Sequence, residues 1–406
     1  MENRKKKFSI SLVVALTLFA TIVSILVSLN YVRKGENEKV MTQLNTQGYI
    51  DLDKALSLAG YHSIRESDKK TLTYLNDEQK FELIVDLKNN KISKDIFVFD
   101  VMDSIISING ENYIERKILE NVINKKINIK DSKILVNLIK YEPHDWIDLS
   151  NHVIGHAAGG YRLPNSIYPY TNSLESIVQN YELGYRVSEI DLNLTSDDNL
   201  ALVHDWDFGG YEIVPTVDEW KQGGLNNPIM PETTGIVTDD LFRLMAINKD
   251  MFIITDTKSF ELSEEDTMKQ FQIMVNKSKK YGSDVINRVI PQIYNEEMYS
   301  TIKQVYDFPS IVYTMYANND SDDVVVDFIK DKPDIKVITT HESRATEEFI
   351  SQLKAHDKEM FAHTVNDQNT FIQHINAGLS GVYTDFLTPN TVIELLKSTE
   401  QKPRTS

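Results

Sequence analysis

Three carboxylates in two strand-like segments are the residues of this chain best suited to hold a metal ion. In SEIDLNL, Glu189 and Asp191 stand two positions apart, and side chains at that spacing share one face of a strand. Ile190 and Leu192 share the apolar face that must meet the surrounding helices, so the carboxylates should point the other way. Like charges held together repel and lose hydration, and a divalent cation relieves both costs. Asp256 in FIITDTK adds a third oxygen ligand, which favours Ca²⁺ or Mg²⁺; a solvated strand end without an ion is the alternative.

A lysine and two histidines are candidates for the accompanying chemistry. Lys258 follows Asp256 at the same two-residue spacing, beside the expected metal and in position for a phosphate oxygen; a plain salt bridge is the alternative. His156 in VIGHAAGG and His204 in NLALVHDWDF can divide general-acid and general-base work near neutral pH. A single histidine at a strand end is most often structural, but two that flank three carboxylates favour catalysis.

The elements that must position these residues form a regular alternation from residue 152 onward. Apolar strand-like runs alternate with segments of helical period, and eight such units over about 250 residues predict an α/β fold of the TIM (β/α)8 barrel type. An open doubly wound sheet is the alternative, but no glycine-rich phosphate fingerprint follows the first strand. A barrel carries its active site at the C-terminal ends of its strands, and polar residues including Gln292, Asn366 and Asp385 fall there. The predicted strands are 152–156, 186–194, 251–258, 289–294, 310–315, 336–341, 360–365 and 381–385.

The order of these motifs resembles that of the glycerophosphodiester phosphodiesterase family, within the phosphatidylinositol-phospholipase-C-like superfamily of barrels. The match runs from about residue 152 to 397 and consists of Gly155-His156, Thr171-Asn172-Ser173, Glu189-Ile190-Asp191, His204-Asp205, Asp256-Thr257-Lys258, Thr364-Val365-Asn366 and Thr384-Asp385. The resemblance implies a metal-dependent phosphodiesterase. It assigns the catalytic roles to His156, His204 and Lys258, and the metal ligands to Glu189, Asp191 and Asp256.

Three departures from the family pattern bear on the substrate site. Ala157 stands where the family has an arginine, so a phosphate contact is lost unless Arg162 restores it. Asp256 is one methylene shorter than the usual glutamate, and His363 stands where a tryptophan is common. Trp206 opens a stretch, 209–235, that we interpret as an extended loop forming a lid or substrate wall, with core packing of Trp206 as the alternative. The expected substrate-binding residues are Arg162, Asn172, Trp206, Gln292, His363 and Asn366.

The N-terminal part predicts attachment to a membrane. Residues 1–7 are basic and are expected to form a cytoplasmic tail, and 8–30 are an uncharged apolar run about as long as the ~20 residues that cross a hydrocarbon core. A cleaved signal peptide is the alternative, although no clear cleavage site follows. Residues 40–140 show a weak repeat, with Tyr49 and Tyr113 in equivalent places, that predicts a small α+β domain. This segment loosely resembles the copper amine oxidase N-terminal-like stalk modules of bacterial surface proteins, which implies a spacer or a module that binds wall polymer.

Composition excludes several other functions. The chain of 406 residues has 43 Lys+Arg against 60 Asp+Glu, a net charge of −17, which argues against a nucleic-acid partner. It has no cysteine, which excludes disulfides and thiol catalysis. We therefore expect a single-pass membrane protein whose 150–400 barrel lies outside the cell and hydrolyses glycerophosphodiester head groups, lipids or teichoic-type wall polymers. The alternatives are phospholipase D-like cleavage of lysophospholipid or sphingolipid head groups, and a degenerate barrel that binds surface polymers without turnover.

Overall fold

The computed structural model describes residues 44, 47–68, 70–102, 104–108, 110–130, 133–258 and 261–400. They fall into two compact units, one reaching to residue 138 apart from 96–98, and one formed by 96–98 with the chain from 139 onward. The expected basic tail and transmembrane segment, 1–7 and 8–30, lie outside the described residues. Within the described part, no helix has the length and apolar character needed to span a membrane.

The chain before residue 139 is rich in antiparallel strands. Strands β2 to β6 form one five-stranded sheet, β1, β8 and β7 form a second sheet, and β9 pairs with β10. The helices are α1 (Leu52–Leu58) and α2 (Arg116–Ile123). The strands are β1 (Tyr49–Asp51), β2 (Tyr61–Asp68), β3 (Thr71–Asn76), β4 (Glu82–Asp86), β5 (Lys91–Lys94), β6 (Phe97–Asp100), β7 (Ile105–Ile108), β8 (Glu111–Glu115), β9 (Lys125–Lys130) and β10 (Lys133–Leu138).

The internal repeat predicted from the sequence is present as secondary structure. Both copies run strand, helix, strand, as β1–α1–β2 and β8–α2–β9. Strands β1 and β8 pair antiparallel, with Ile50 opposite Ile114, so the equivalent strands of the two copies bury apolar residues beside each other. The pairing of Ile108 with Glu111 leaves two residues for the connection between β7 and β8, and Gly110 there has φ +85°, which glycine adopts at little cost.

Eight parallel strands form a closed barrel from residue 153 onward, which confirms the predicted fold. The strands neighbour one another around the ring in chain order, and the first pairs with both the last and the second, which closes it. They are β11 (Val153–Gly155), β14 (Val187–Leu194), β16 (Phe252–Asp256), β17 (Val289–Ile293), β18 (Ile311–Thr314), β19 (Ile335–His341), β20 (Glu359–His363) and β21 (Gly381–Thr384). Between them lie the short strands β12 (Tyr161–Leu163), β13 (Ser166–Tyr168) and β15 (Leu200–Leu202).

Helices follow the barrel strands, as the alternation in the sequence predicts. Several begin at a small polar residue whose side chain accepts a hydrogen bond from the first turn, as Ser173, Ser263 and Asn295 do. The helices of this unit are α3 (Trp146–Leu149), α4 (Leu174–Glu182), α5 (Val217–Gly223), α6 (Thr238–Ile247), α7 (Glu264–Ser278), α8 (Glu296–Val305), α9 (Asp322–Ile329), α10 (Glu347–Ala355), α11 (Gln368–Asn376) and α12 (Pro389–Glu400).

The interior of the barrel is filled by apolar side chains below the carboxylates. Val187, Phe252 and Ile254 belong to this core, and Trp146 of the short helix α3 packs into it as well. The Trp146 indole N–H donates to Ser310 Oγ (2.9 Å), so its polar atom is satisfied although the side chain is fully buried. Because Val187 faces this core, Glu189 and Asp191 on the same face of β14 point into the barrel as the alternation predicts.

The stretch 209–235 differs from the extended loop that we expected. It contains helix α5, which begins at Thr216 with a capping box to Glu219. Trp220 of this helix lies in a second apolar cluster with Ala201 and Val203, and Trp206 packs against it. Apolar residues within and after β15 build this small core, which the sequence alone did not predict.

Candidate active site

The three predicted metal ligands lie together where the pairing of β14 with β16 ends. These strands pair in parallel with Asp191 directly opposite Asp256, which places the two carboxylates at one level. A carboxylate oxygen from each of Glu189, Asp191 and Asp256 lies within 4.8 Å of the others, and all three residues are buried. The sequence spacing was sufficient to place Glu189 and Asp191 on one face of β14. The parallel register of β14 and β16 brings Asp256 to the same place.

Lys258 lies against two of these carboxylates. Its Nζ is 2.7 Å from Asp191 Oδ1 and 2.5 Å from Asp256 Oδ2. Burial favours the neutral amine, but the two aspartates outweigh it and raise the pKa of Lys258, so the residue is a cation. The backbone helps to place it: Lys258 has φ +51°, and its N–H donates to Asp256 Oδ1 (3.2 Å).

One ammonium does not balance three buried carboxylates. Burial, reinforced by the charge on Asp191, raises the pKa of Glu189, which accepts a 2.8 Å hydrogen bond from the Ala157 N–H. For Asp191, burial acts in the same direction, but Lys258 and His204 prevail and hold its pKa below the usual value. Crowded, buried carboxylates of this kind are relieved by a divalent cation, and hard cations prefer oxygen ligands, so the residues present fit the predicted Ca²⁺ or Mg²⁺.

His156 is held by a chain of hydrogen bonds at the other side of the cluster. Its Nδ1 lies 3.0 Å from Asp385 Oδ1, and Asn366 Nδ2 donates to Asp385 Oδ2 (2.8 Å). Burial alone would lower the pKa of His156, but the bond to Asp385 and the charge on Glu189 raise it to about 9. The imidazole therefore carries a proton at neutral pH.

His204 has a similar arrangement on the opposite side of one aromatic ring. Its Nδ1 lies 2.6 Å from Asp205 Oδ2, and Asp205 is itself fixed by the Phe208 N–H (2.6 Å). The ring of Tyr170 stands between the histidines, with centroid distances of 4.8 Å to His156 and 5.3 Å to His204. Each imidazole thus has its Nδ1 occupied by a carboxylate, which leaves Nε2 for chemistry.

Two tyrosines that the sequence did not single out hold Asp256. The Tyr294 hydroxyl donates to Asp256 Oδ1, and the Tyr316 hydroxyl donates to Asp256 Oδ2 (2.8 Å). These residues follow the ends of β17 and β18, so their position at strand ends was the available signal. They occupy the space around a carboxylate that is one methylene shorter than the family's glutamate and fix its direction.

Two of the expected substrate-binding residues line the cavity in front of this cluster. Gln292 and His363 lie on its wall, and the Tyr383 hydroxyl donates to Gln292 Oε1 (3.3 Å). Burial, together with the positive charges of His156 and His341, lowers the pKa of His363 to about 4, so it is neutral at physiological pH. The cavity has a volume of about 50 Å³, and its lining residues are His156, Glu189, Asp256, Gln292, Thr314, Tyr316, His363 and Tyr383.

The two asparagines each hold one carboxylate of the site by hydrogen bonds. Asn172 donates to Asp191 Oδ2 (2.9 Å) and accepts from the Asp191 N–H (3.1 Å). Asn366 makes the equivalent pair of contacts with Asp385, donating to Oδ2 and accepting from its N–H (2.8 Å each). Both amides are used on protein groups, so in this structure they orient carboxylates and do not reach into the cavity.

Arg162 and Trp206 also make contacts other than those expected of substrate-binding residues. The Arg162 guanidinium donates to the carbonyls of Gly160 (2.8 Å) and Phe386 (3.1 Å) and to Asn180 Oδ1 (2.5 Å). It fastens the β12–β13 hairpin to the loop after β21 and is not positioned to replace the cation lost at Ala157. The Trp206 indole N–H donates to the Leu194 carbonyl (3.1 Å), and the ring packs against Trp220 at 5.6 Å, which corrects the lid interpretation in favour of core packing.

Comparison with known proteins gives one family match. The model of the glycerophosphoryl diester phosphodiesterase family matches residues 156–388, which is more than half of the chain and includes every predicted site residue. No curated protein matches the chain.

Several solved structures are similar to the barrel at low sequence identity. A glycerophosphodiester phosphodiesterase from Parabacteroides distasonis is 19% identical, with a TM-score of 0.49, over 62% of this chain and 99% of that one. The Oleispira antarctica phosphodiesterase in complex with the product sn-glycerol-3-phosphate is 16% identical, with a TM-score of 0.46, over 61% and 96%. A Thermotoga maritima glycerophosphodiester phosphodiesterase is 18% identical, with a TM-score of 0.44, over 61% and 97%.

Proposed function

This chain belongs to the glycerophosphoryl diester phosphodiesterase family, whose members are phosphodiester hydrolases, and we propose that it cleaves glycerophosphodiester-type substrates with the help of a divalent metal ion. One observation carries the proposal. Two imidazoles, His156 and His204, flank a buried cluster of three carboxylates and one ammonium at the mouth of the barrel. A module that only bound polymers would have no need of that set.

The proton that His156 carries indicates how the two histidines divide the work. The substrate hydroxyl next to the phosphate attacks phosphorus while His204 Nε2 takes its proton. The bond from phosphorus to the leaving alcohol breaks, and His156, protonated because of Asp385, gives its proton from Nε2 to that oxygen. Water then opens the cyclic phosphate with the roles reversed: His156 accepts a proton from water, and His204 returns its proton to the original hydroxyl.

The cations of the site neutralise the phosphate. Lys258 lies at the carboxylate cluster with 16% of its side chain exposed, so its ammonium can turn from Asp256 to a phosphate oxygen. Glu189, Asp191 and Asp256 would hold Ca²⁺ or Mg²⁺, which supplies further stabilisation of negative charge on the phosphoryl oxygens. The neutral His363 and Gln292 on the cavity wall offer hydrogen bonds to the alcohol parts of the substrate.

A substrate panel tests the proposal on the full chain. Soluble glycerophosphodiesters, a lysophospholipid and a teichoic-type polymer are incubated with the protein with and without chelator, and released phosphate monoesters and alcohols are measured. We expect hydrolysis that chelation abolishes, and a loss of at least ~10² in turnover for His156→Ala or His204→Ala. His356→Ala, an exposed histidine after α10, is the control. Failure to cleave any phosphodiester would refute the proposal, and full turnover in excess chelator would remove the metal from it.

The location of the enzyme is a second part of the proposal. The apolar run 8–30 and the basic residues 1–7 support a membrane anchor with the N-terminus inside the cell and the barrel outside. The β-rich unit before residue 139 would then be a stalk between them, in contact with wall polymer. In cells that produce the full chain, external protease should remove a C-terminal tag; protection of the tag until the membrane is disrupted would contradict this orientation.

A further inference from the structure

From residue 139 onward, the exposed apolar side chains are concentrated at the end of the barrel that carries the active site. Apart from Val324 on helix α9, the large apolar residues that are exposed among the described residues after 139 all lie in segments that follow barrel strands. Six of them are named here as the apolar rim: Leu163, Ile167, Ile213, Val214, Ile229 and Phe386. Soluble proteins rarely collect exposed aliphatic side chains at one place, and such surfaces usually mark a binding partner.

Part of the rim is connected to the residue that holds the catalytic histidine. Arg162 ties the β12–β13 hairpin, which carries Leu163 and Ile167, to the Phe386 carbonyl (3.1 Å). Ile167 also fills the space beside Gly160, whose N–H donates to the Asp385 carbonyl (2.9 Å). Asp385 is the carboxylate that holds His156, so this apolar surface begins one residue from the site.

The other part of the rim belongs to a segment that is well packed against the rest of the barrel unit. Ile213 is 83% exposed and Ile229 is 77% exposed, on the segment that carries α5. That segment is anchored by Trp220, which is 1% exposed, and by the hydrogen bond from the Asn226 N–H to the Gly209 carbonyl (2.9 Å). The two isoleucines therefore contribute nothing to the core of their own segment, although each would gain from leaving water.

The charges around the rim select among possible partners. Residues 205–235 contain six carboxylates and one lysine, so an anionic surface would be repelled. The aliphatic side chains stand on separate loops around an opening, which suits a fluid surface better than a fitted protein groove. The uncharged run 8–29 is predicted from the sequence to keep the chain at a bilayer.

We propose that the apolar rim docks on a lipid surface of zwitterionic head groups, so that the site takes the phosphodiester head groups of amphiphiles presented there. The substrate class rests on the proposed function, whereas the docking does not. A phosphodiester at such a surface would meet His156 and His204 as soon as the rim entered the lipid.

The absence of cysteine allows a direct test on the full chain. A single cysteine at Ile229→Cys carries a polarity-sensitive fluorophore, and His356→Cys, exposed at the opposite end of the barrel, is the matched control. Both proteins are reconstituted in phosphatidylcholine vesicles that contain a nitroxide-labelled phosphatidylcholine. We expect a blue shift and quenching at position 229 and neither at 356, and a weaker response when half of the lipid is phosphatidylglycerol.

Three outcomes would overturn the docking. The first is a fluorophore at position 229 that stays in water, and the second is equal quenching at positions 229 and 356. The third is a blue shift at position 229 before lipid is added, which would indicate that a second copy of the chain covers the rim. An undiminished response with phosphatidylglycerol would overturn the preference for zwitterionic lipid.

A kinetic arm tests the substrate class. The double variant Ile213→Ser/Ile229→Ser should lose at least about tenfold in turnover of a vesicle-borne lysophospholipid, about 1.4 kcal/mol, with unchanged turnover of a soluble glycerophosphodiester. Val324→Ser, an exposed apolar residue outside the rim, should change neither. Equal losses on both substrates would overturn the proposed class. If the unaltered chain cleaves neither substrate, the proposed function and the class fail together, and the fluorescence result still decides the docking.

Discussion

Replacing Lys258 with methionine should destabilise the barrel by an amount that depends on metal. The ammonium is 2.7 Å from Asp191 and 2.5 Å from Asp256, and the three side chains are only 16%, 3% and 6% exposed. Removing one partner of a buried ion pair costs about 3–5 kcal/mol, because the remaining charge stays buried without compensation. The aspartates can take up a proton, so we expect the lower end of this range, about 3 kcal/mol.

The expected loss is large enough to measure by thermal unfolding. For a domain of this size 1 kcal/mol corresponds to roughly 2–4 °C, so Lys258→Met should unfold about 6–12 °C below the unaltered chain in excess chelator. Saturating Ca²⁺ or Mg²⁺ should return most of this loss, because a dication bound by the same carboxylates supplies the missing positive charge. Turnover should stay low even with metal, since the contact to phosphate is gone.

Lys269→Met is the matched control. Lys269 Nζ lies 2.6 Å from Asp198 Oδ1, almost the same distance, but the side chains are 40% and 71% exposed. Exposed pairs contribute about 0–1 kcal/mol, so this variant should unfold close to the unaltered chain with or without metal. If Lys258→Met in chelator were as stable as Lys269→Met, the buried cluster would not carry the charges inferred for it.

Three further predictions follow from contacts outside the reacting groups. Arg162→Ala should lower the unfolding free energy by about 1.5–3 kcal/mol, the usual contribution of charged hydrogen bonds, and should leave the KM for a soluble substrate unchanged. A raised KM at full stability would instead show that Arg162 binds phosphate. Asn172→Ala should weaken metal binding by about 10–100-fold in calorimetry, because Asp191 loses the amide that orients it, and unaltered affinity would exclude that role. Burial lowers the pKa of His144, whose Nδ1 contacts Ser310 Oγ (3.1 Å), so the stability that the neutral imidazole contributes is full above pH 6.5 and is lost as the pH falls further. The fall in Tm between pH 7.5 and 5.5 should therefore be smaller in His144→Gln than in the unaltered chain. An equal fall in the two proteins would contradict this prediction.

The sequence determined those features that depend on local periodicity. Alternation along SEIDLNL placed Glu189 and Asp191 on one face, and the same face of β14 points into the barrel in the structure. The repeated order of strands and helices was sufficient to predict the barrel, because a sheet of parallel strands with helical connections has few other ways to bury both of its faces. Because the carboxyl ends of all barrel strands lie at one end of the barrel, the polar residues predicted at strand ends could be assigned to that end from the sequence.

Only the tertiary structure decided which partners those residues have. Tyr294 and Tyr316 reach Asp256 from positions 38 and 60 residues further along the chain, and no spacing rule connects them. Arg162 has the chemistry of a phosphate ligand, but the closure of the barrel brings backbone carbonyls of Gly160 and Phe386 within its reach, and they take its donors. Side-chain type sets what a residue is able to bind, whereas the contacts it makes depend on strand register and loop packing, which act between residues far apart in sequence.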